Sequence, residues 1–221
     1  MLNQYLEQVG INTDNPEPRC ACVLLLDVSS SMSGKRIRLL NEGLVAFQRA
    51  LQADDLACMR VEVAIVTFGG DVEVAQNFVT ADEFMPSKLT TKGDTPMGEA
   101  INMTLDMIDQ RKKIYRQNGL PYYRPWIFLV TDGYPTDRAW QAAAQRVKEA
   151  DATQKVAFFA VGVQGADMKR LAQMSMRQPV RLKGLNFREM FVWLSASLTS
   201  VSHSQIGEQV PLESPVGWAA I

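Results

Sequence analysis

The chain is poor in cysteine and histidine and carries almost no net charge. Its 221 residues include 3 cysteines and 1 histidine, and the formal net charge is -1. So few cysteines exclude a disulfide-rich scaffold. With His203 as the only histidine, a Ser-His-Asp triad has little to work with. The balanced charge gives no reason to expect nucleic acid or an anionic membrane as a partner.

Long apolar runs are also missing. No run approaches the roughly 20 residues that a membrane-spanning helix needs, and residues 1–7 lack the basic start and apolar block of a signal peptide. We therefore expect a cytoplasmic protein. The length suits one α/β domain, and composition predicts an N-terminal arm at 1–19 with a short helix near 4–9, a domain at 20–201 and a C-terminal tail at 202–221.

What the sequence does contain is a regular alternation of strand-like and helix-like segments. Strands are predicted for a run ending at Asp27 and for 61–68, 72–79, 126–131, 156–162 and, as an edge strand, 180–182. The tight turn Gly69-Gly70-Asp71 leaves no room for a crossover, so the second and third strands should form an antiparallel hairpin. The helical stripes between the other strands predict a doubly wound, mostly parallel α/β sheet with helices on both faces.

The first strand ends abruptly in a group of oxygen-bearing side chains. The run 23–26 has no polar face, as expected of a strand buried on both sides. Asp27 follows at its carboxyl end, where open α/β sheets bind their ligands, and Ser29 and Ser31 come next at alternate positions. Hard cations such as Mg²⁺ and Ca²⁺ select oxygen ligands. A turn whose serines cap the next helix explains this segment equally well.

Two distant segments favour the metal site. Thr95 lies in Gly-Asp-Thr-Pro-Met at 93–97, and Asp132 ends a second buried-looking strand at 127–131. Together with Asp27, Ser29 and Ser31 these residues resemble the metal-ion-dependent adhesion site of the von Willebrand factor A family, over roughly residues 20 to 200. Thr95 taken alone could instead be a helix N-cap before proline, and Asp132 a turn carboxylate.

The resemblance implies a Rossmann-like six-stranded sheet of order 3-2-1-4-5-6 with strand 3 antiparallel. It further implies a non-enzymatic module whose five residues bind a divalent cation, with Mg²⁺ as the cytoplasmic default and Mn²⁺ or Ca²⁺ as possible replacements. An Asp or Glu of a protein partner would complete the ion's shell. We expect Ser33, Asp94 and Asp137 at the rim only, and Lys35-Arg36 as a solvated helix end.

A looser similarity to bacterial tellurium-resistance TerY-type proteins implies a stress-response complex, sometimes with a kinase and a PP2C-type phosphatase. The competing hypothesis is a Mg²⁺-dependent phosphoryl-transfer or hydrolytic enzyme using Asp27. Haloacid-dehalogenase-type phosphatases need a second Asp where Ser29 stands, and neither a nucleophile elbow nor a phosphate-binding loop is present. A third hypothesis is a scaffold with an empty site, which metal-dependent thermal stabilisation would distinguish.

Overall fold

In the part of the chain that the structure describes, one sheet of seven strands, in the order β3-β2-β1-β4-β5-β6-β7, forms the centre of the fold. The computed structural model describes residue 11 and residues 14–220, so the short helix predicted near 4–9 lies outside the described residues. The strands are β1 (Cys20–Asp27), β2 (Val61–Gly69), β3 (Asp71–Thr80), β4 (Trp126–Thr131), β5 (Ala157–Gly162), β6 (Val180–Leu182) and β7 (Ala219–Ala220).

Helices cover both faces of the sheet. They are α1 (Lys35–Gln52), α2 (Asp55–Arg60), α3 (Met97–Gln117), α4 (Trp140–Ala152), α5 (Met168–Met174) and α6 (Phe187–His203). The apolar residues of α1 and α6 pack on one face, and those of α3, α4 and α5 on the other. None of the helices in the described part of the chain is long and apolar enough to cross a bilayer.

The central strand β1 is buried along its whole length, as its apolar run predicts. It pairs in parallel with β2 on one side and β4 on the other. Its side chains alternate between the two cores, with Leu24 and Leu26 in one and Val23 and Leu25 in the other. This arrangement confirms the predicted strand order 3-2-1-4-5-6, with β3 antiparallel to β2.

Two of the three cysteines lie in β1 and act as core residues. Cys20 and Cys22 are fully buried on the same face, and both thiols are free. Burial raises the pKa of Cys20 to about 12 and the pKa of Cys22 well above its ordinary value. Their thiolates are therefore strongly disfavoured, which fits small buried hydrophobes.

The C-terminal tail adds a strand that the sequence did not predict. Ala219 and Ala220 pair antiparallel with β6, so the prediction that 180–182 forms the edge of the sheet is wrong. Next to this strand Trp218 is 3% exposed, and its ring lies 5.3 Å from that of Trp193 on α6. A strand of two residues is too short to show an alternating pattern in the sequence. Its pairing with β6 and the buried indole of Trp218 hold it in place.

If Trp218 anchors the tail, its removal should destabilise the whole domain. We expect Trp218→Ala to lower the free energy of unfolding by about 3–5 kcal/mol, the usual cost of emptying a large buried aromatic site. The control Val216→Ala, at a side chain that is 72% exposed, should change it by less than about 0.5 kcal/mol. Urea unfolding followed by circular dichroism measures both, and equal small effects would show that the tail does not anchor the fold.

Candidate metal centre

Three loops meet at the carboxyl edge of the sheet. The loop after β1 is tied to the loop before α3 by the Ser30 N–H, which donates to the Gly93 carbonyl at 3.0 Å, and by the Lys92 N–H, which donates to the Val28 carbonyl at 2.8 Å. Gly93 has a φ of +55°, and a β-carbon there would overlap the backbone of Gly70 in the β2–β3 turn. This contact fixes the loop that carries Thr95. The third loop follows β4, the neighbour of β1 in the sheet.

Asp27 is a fully buried group of the site. Its side chain is inaccessible to solvent. One carboxylate oxygen accepts the Ser29 N–H at 2.8 Å, and the other accepts the Thr131 hydroxyl at 2.5 Å. Burial raises the pKa of Asp27, and the hydrogen bonds from Ser29 and Thr131 oppose that shift. The nearby carboxylate of Asp132 adds a smaller upward push. Keeping this buried carboxyl ionised costs free energy of desolvation, and a bound cation would offset that cost.

A chain of side-chain hydrogen bonds joins the first and third loops. The Ser31 hydroxyl donates to Asp132 Oδ1 at 2.6 Å, and Ser29 Oγ lies 2.9 Å from Ser31 Oγ. The contact between the two hydroxyls joins Ser29 to Ser31, and Ser31 joins both to the Asp132 carboxylate. Two carboxylates and two hydroxyls from segments about 100 residues apart are therefore in one cluster.

Thr95 completes the group from the second loop. It is 5% exposed, and its backbone exchanges hydrogen bonds with Thr136 of the third loop at 3.1 and 3.0 Å. A β-carbon placed on Gly133 would lie 3.0 Å from Thr95 Oγ1 and 3.4 Å from Asp27 Oδ2. The threonine hydroxyl and the Asp27 carboxylate thus both lie next to Gly133, where a side chain would crowd the threonine hydroxyl. All five predicted residues are brought to this one edge.

The helix-cap interpretations fail for both loops. Neither the 3-10 turn at Ser30–Met32, whose N-cap is Ser29, nor α1, whose N-cap is Gly34, receives a side-chain cap. The serine hydroxyls bond each other and Asp132 instead. Thr95 does not cap α3 either, since Asp137 accepts the N–H groups at the start of that helix, at 3.2 and 2.8 Å. Asp137 is therefore a capping residue beside the site.

Two residues of the cluster were not predicted. Thr131 holds Asp27 and could have been suspected, because it immediately precedes Asp132 at the end of a strand. Arg36 was expected to be a solvated helix end, and this is wrong. Its guanidinium donates to Asp132 Oδ2, to the Ser31 carbonyl at 3.0 Å and to the Gln164 carbonyl at 2.9 Å. Nothing in the sequence near Arg36 signals these distant partners.

The donor set fits a hard divalent cation. Among residue 11 and residues 14–220, no group of three or more His, Cys, Asp or Glu residues converges on one point. At this edge the donors are two carboxylates and three hydroxyls, which offer only oxygen. Such a set suits Mg²⁺, Mn²⁺ or Ca²⁺ rather than the softer metals that prefer sulfur and nitrogen.

Comparison with solved structures finds the same fold in several other proteins. Proximal thread matrix protein 1 from the mussel byssus is 16% identical over 84% of this chain and 49% of its own, with a TM-score of 0.58. The pilus adhesin SpaC from Lactobacillus rhamnosus GG is 14% identical over 85% of this chain and 31% of its own, with a TM-score of 0.67. Manganese-loaded TRAP protein from Plasmodium vivax is 14% identical over 80% of this chain and 73% of its own, with a TM-score of 0.55.

At these identities the likeness shows the fold alone, and the chain spans about half the length of the mussel protein. A search of curated proteins found no match. The sequence model of the von Willebrand factor type A domain, however, matches residues 22–189. That range contains most of β1, all of β2 to β6 and α1 to α5, and all five predicted site residues. The chain therefore belongs to the von Willebrand factor type A domain family.

Proposed function

We propose that this chain is a protein-interaction module that binds a divalent cation through Asp27, Ser29, Ser31, Thr95 and Asp132. The cation in turn binds a carboxylate of a partner protein. The observation that carries the proposal is the cluster of oxygen donors from three loops. The first and third loops are joined by the contact between Ser29 and Ser31 and the hydrogen bond from Ser31 to Asp132, and Thr95 of the second loop is tied to the third through Thr136. Family membership supports it, as does the manganese bound by the TRAP protein of similar fold.

The chemistry of the donors explains why such a site would capture an acid. Hydroxyls are neutral and weaken the charge of a dication very little, so most of the neutralisation falls to two carboxylates. Hard cations of this kind prefer six or more oxygen ligands. An Asp or Glu side chain of a partner is a strong additional ligand, and Ser31 lies at the exposed mouth of the cluster, where such a group can reach the ion.

The cellular setting we propose follows from the sequence resemblance. It is a cytoplasmic stress-response complex of the tellurium-resistance type, with Mg²⁺ as the resident ion and a kinase or a PP2C-type phosphatase among the candidate partners. The pilus adhesin of similar fold supports a binding role over a catalytic one. Identification of the captured partner tests this setting separately from the metal site.

If the cluster binds a cation, the folded protein should gain stability from it. At a free Mg²⁺ or Mn²⁺ concentration 100 times the dissociation constant, the gain should be about 2.7 kcal/mol. Ser29→Ala removes a buried donor and should lose most of this gain, whereas Ser33→Ala, at an exposed serine of the same loop, should keep it. Thermal unfolding with metal and with chelator measures the effect. A wild-type protein indifferent to both ions would refute the metal site.

The partner should depend on the cation and on its own acidic group. In a pull-down with Mg²⁺, the wild type should recover partners that are lost in chelator and equally lost with Asp27→Asn, which preserves the side-chain shape without the charge. Amidation of the carboxylates of a recovered partner should then abolish rebinding. Partners retained in chelator, or bound equally by the variant, would show that the interaction uses another surface.

A further inference from the structure

Arg36, in the first turn of α1, reaches across the mouth of the cluster. Its side chain is 27% exposed, whereas that of Asp132 is inaccessible to solvent. One terminal nitrogen of the guanidinium bonds both Asp132 Oδ2 and the Ser31 carbonyl, and the other bonds the Gln164 carbonyl. Three acceptors from three separate loops thus hold this one cation in place.

The guanidinium of Arg36 is bound to a carboxylate oxygen that a metal ion in the cluster would use, Asp132 Oδ2. Asp132 is one of only two carboxylates in the cluster, and both of its oxygens are engaged, Oδ1 by Ser31 and Oδ2 by Arg36. A cation that uses this carboxylate must share it with Arg36 or displace Arg36 from it. Arginine keeps its charge at every accessible pH, and its fork of donors matches a carboxylate, so it leaves only by moving.

We propose that Arg36 is an internal cation that competes with the divalent metal for Asp132 and so sets the metal affinity of the site. This inference rests on the proposed function. In the metal-free protein the formal charge of Asp27, Asp132 and Arg36 together is -1, so the guanidinium cancels half of the attraction that the two carboxylates offer a dication. When the metal enters, Arg36 turns from Asp132 toward solvent and leaves a positive group at the rim beside the partner's acid.

The next arginine on the helix provides a matched control. Arg38 is 59% exposed and pairs with Glu42 one turn along α1, at 2.7 Å. It has the same side chain, lies on the same helix and is two residues from Arg36. Removing it changes the net charge of the protein equally but takes nothing from the cluster.

Calorimetric titration with Mn²⁺ of the wild type, Arg36→Gln and Arg38→Gln tests the proposal. Arg36→Gln should bind Mn²⁺ about tenfold more tightly than the wild type, equivalent to about 1.4 kcal/mol, while Arg38→Gln should match the wild type. Arg36→Lys keeps the charge but cannot span all three acceptors, so its affinity for Mn²⁺ should lie between that of the wild type and that of Arg36→Gln. It also provides a folded comparison if the glutamine variant is unstable.

Each result decides the question. Tighter binding by Arg36→Gln, or binding by that variant alone, supports the competition, and the second case also shows that Arg36 closes the wild-type site. Equal or weaker binding by the variant, while the wild type binds, overturns the inference and leaves the metal site intact. Absence of binding by every variant overturns both the inference and the proposed function. As a second readout, the side-chain NMR signal of Arg36 should shift when the protein is titrated with Mg²⁺ in the absence of Mn²⁺. A signal that has not moved when the site is saturated would contradict the displacement of Arg36 from Asp132.

Discussion

The buried carboxylate of Asp27 is the constraint on which the site depends. It ends the central strand, out of contact with water, and is held by the Ser29 N–H and the Thr131 hydroxyl. An ionised group in such a position is expensive unless its donors are fixed in place. One donor comes from its own loop and the other from β4, 104 residues away in sequence. The pairing of β1 with β4 is therefore both a feature of the strand order and an electrostatic requirement of the site.

The hydrogen bonds around Asp132 extend the cluster beyond the loops that carry the family motif. The guanidinium of Arg36 links this carboxylate to the Gln164 carbonyl, in the loop that follows β5. The start of α1 and the ends of β1, β4 and β5 are thus coupled through charge-assisted hydrogen bonds, which strengthen one another in a partly dry environment. Any ligand that changes the charge at this edge acts on all of these segments at once.

The parts of the fold that the sequence predicts are those with strong local signals. Apolar runs define β1, β4 and β5, and the Gly69-Gly70 turn defines the hairpin. The oxygen donors could be found because they match the motif of the family in order, and because Asp27 and Asp132 come at the ends of buried strands. The short helix α2 and the strand β7 were not found, since six and two residues are too few to show a periodicity. Arg36 was missed for a related reason, because a long side chain can reach a carboxylate 96 residues away and leave no local trace.

The close approach of Gly93 to Gly70 has a consequence for how such sequences can diverge. Both residues have positive φ, and Gly93 has no room for a side chain against the hairpin backbone. The two glycines stand where the edge hairpin touches the loop that carries Thr95. A β-carbon on Gly93 would overlap the α-carbon of Gly70, so position 93 cannot acquire a side chain unless the hairpin retreats, whereas Gly70 is restricted only by its φ of +73°. In related chains a side chain at position 93 should consequently mark a lineage in which the threonine loop has taken a different path.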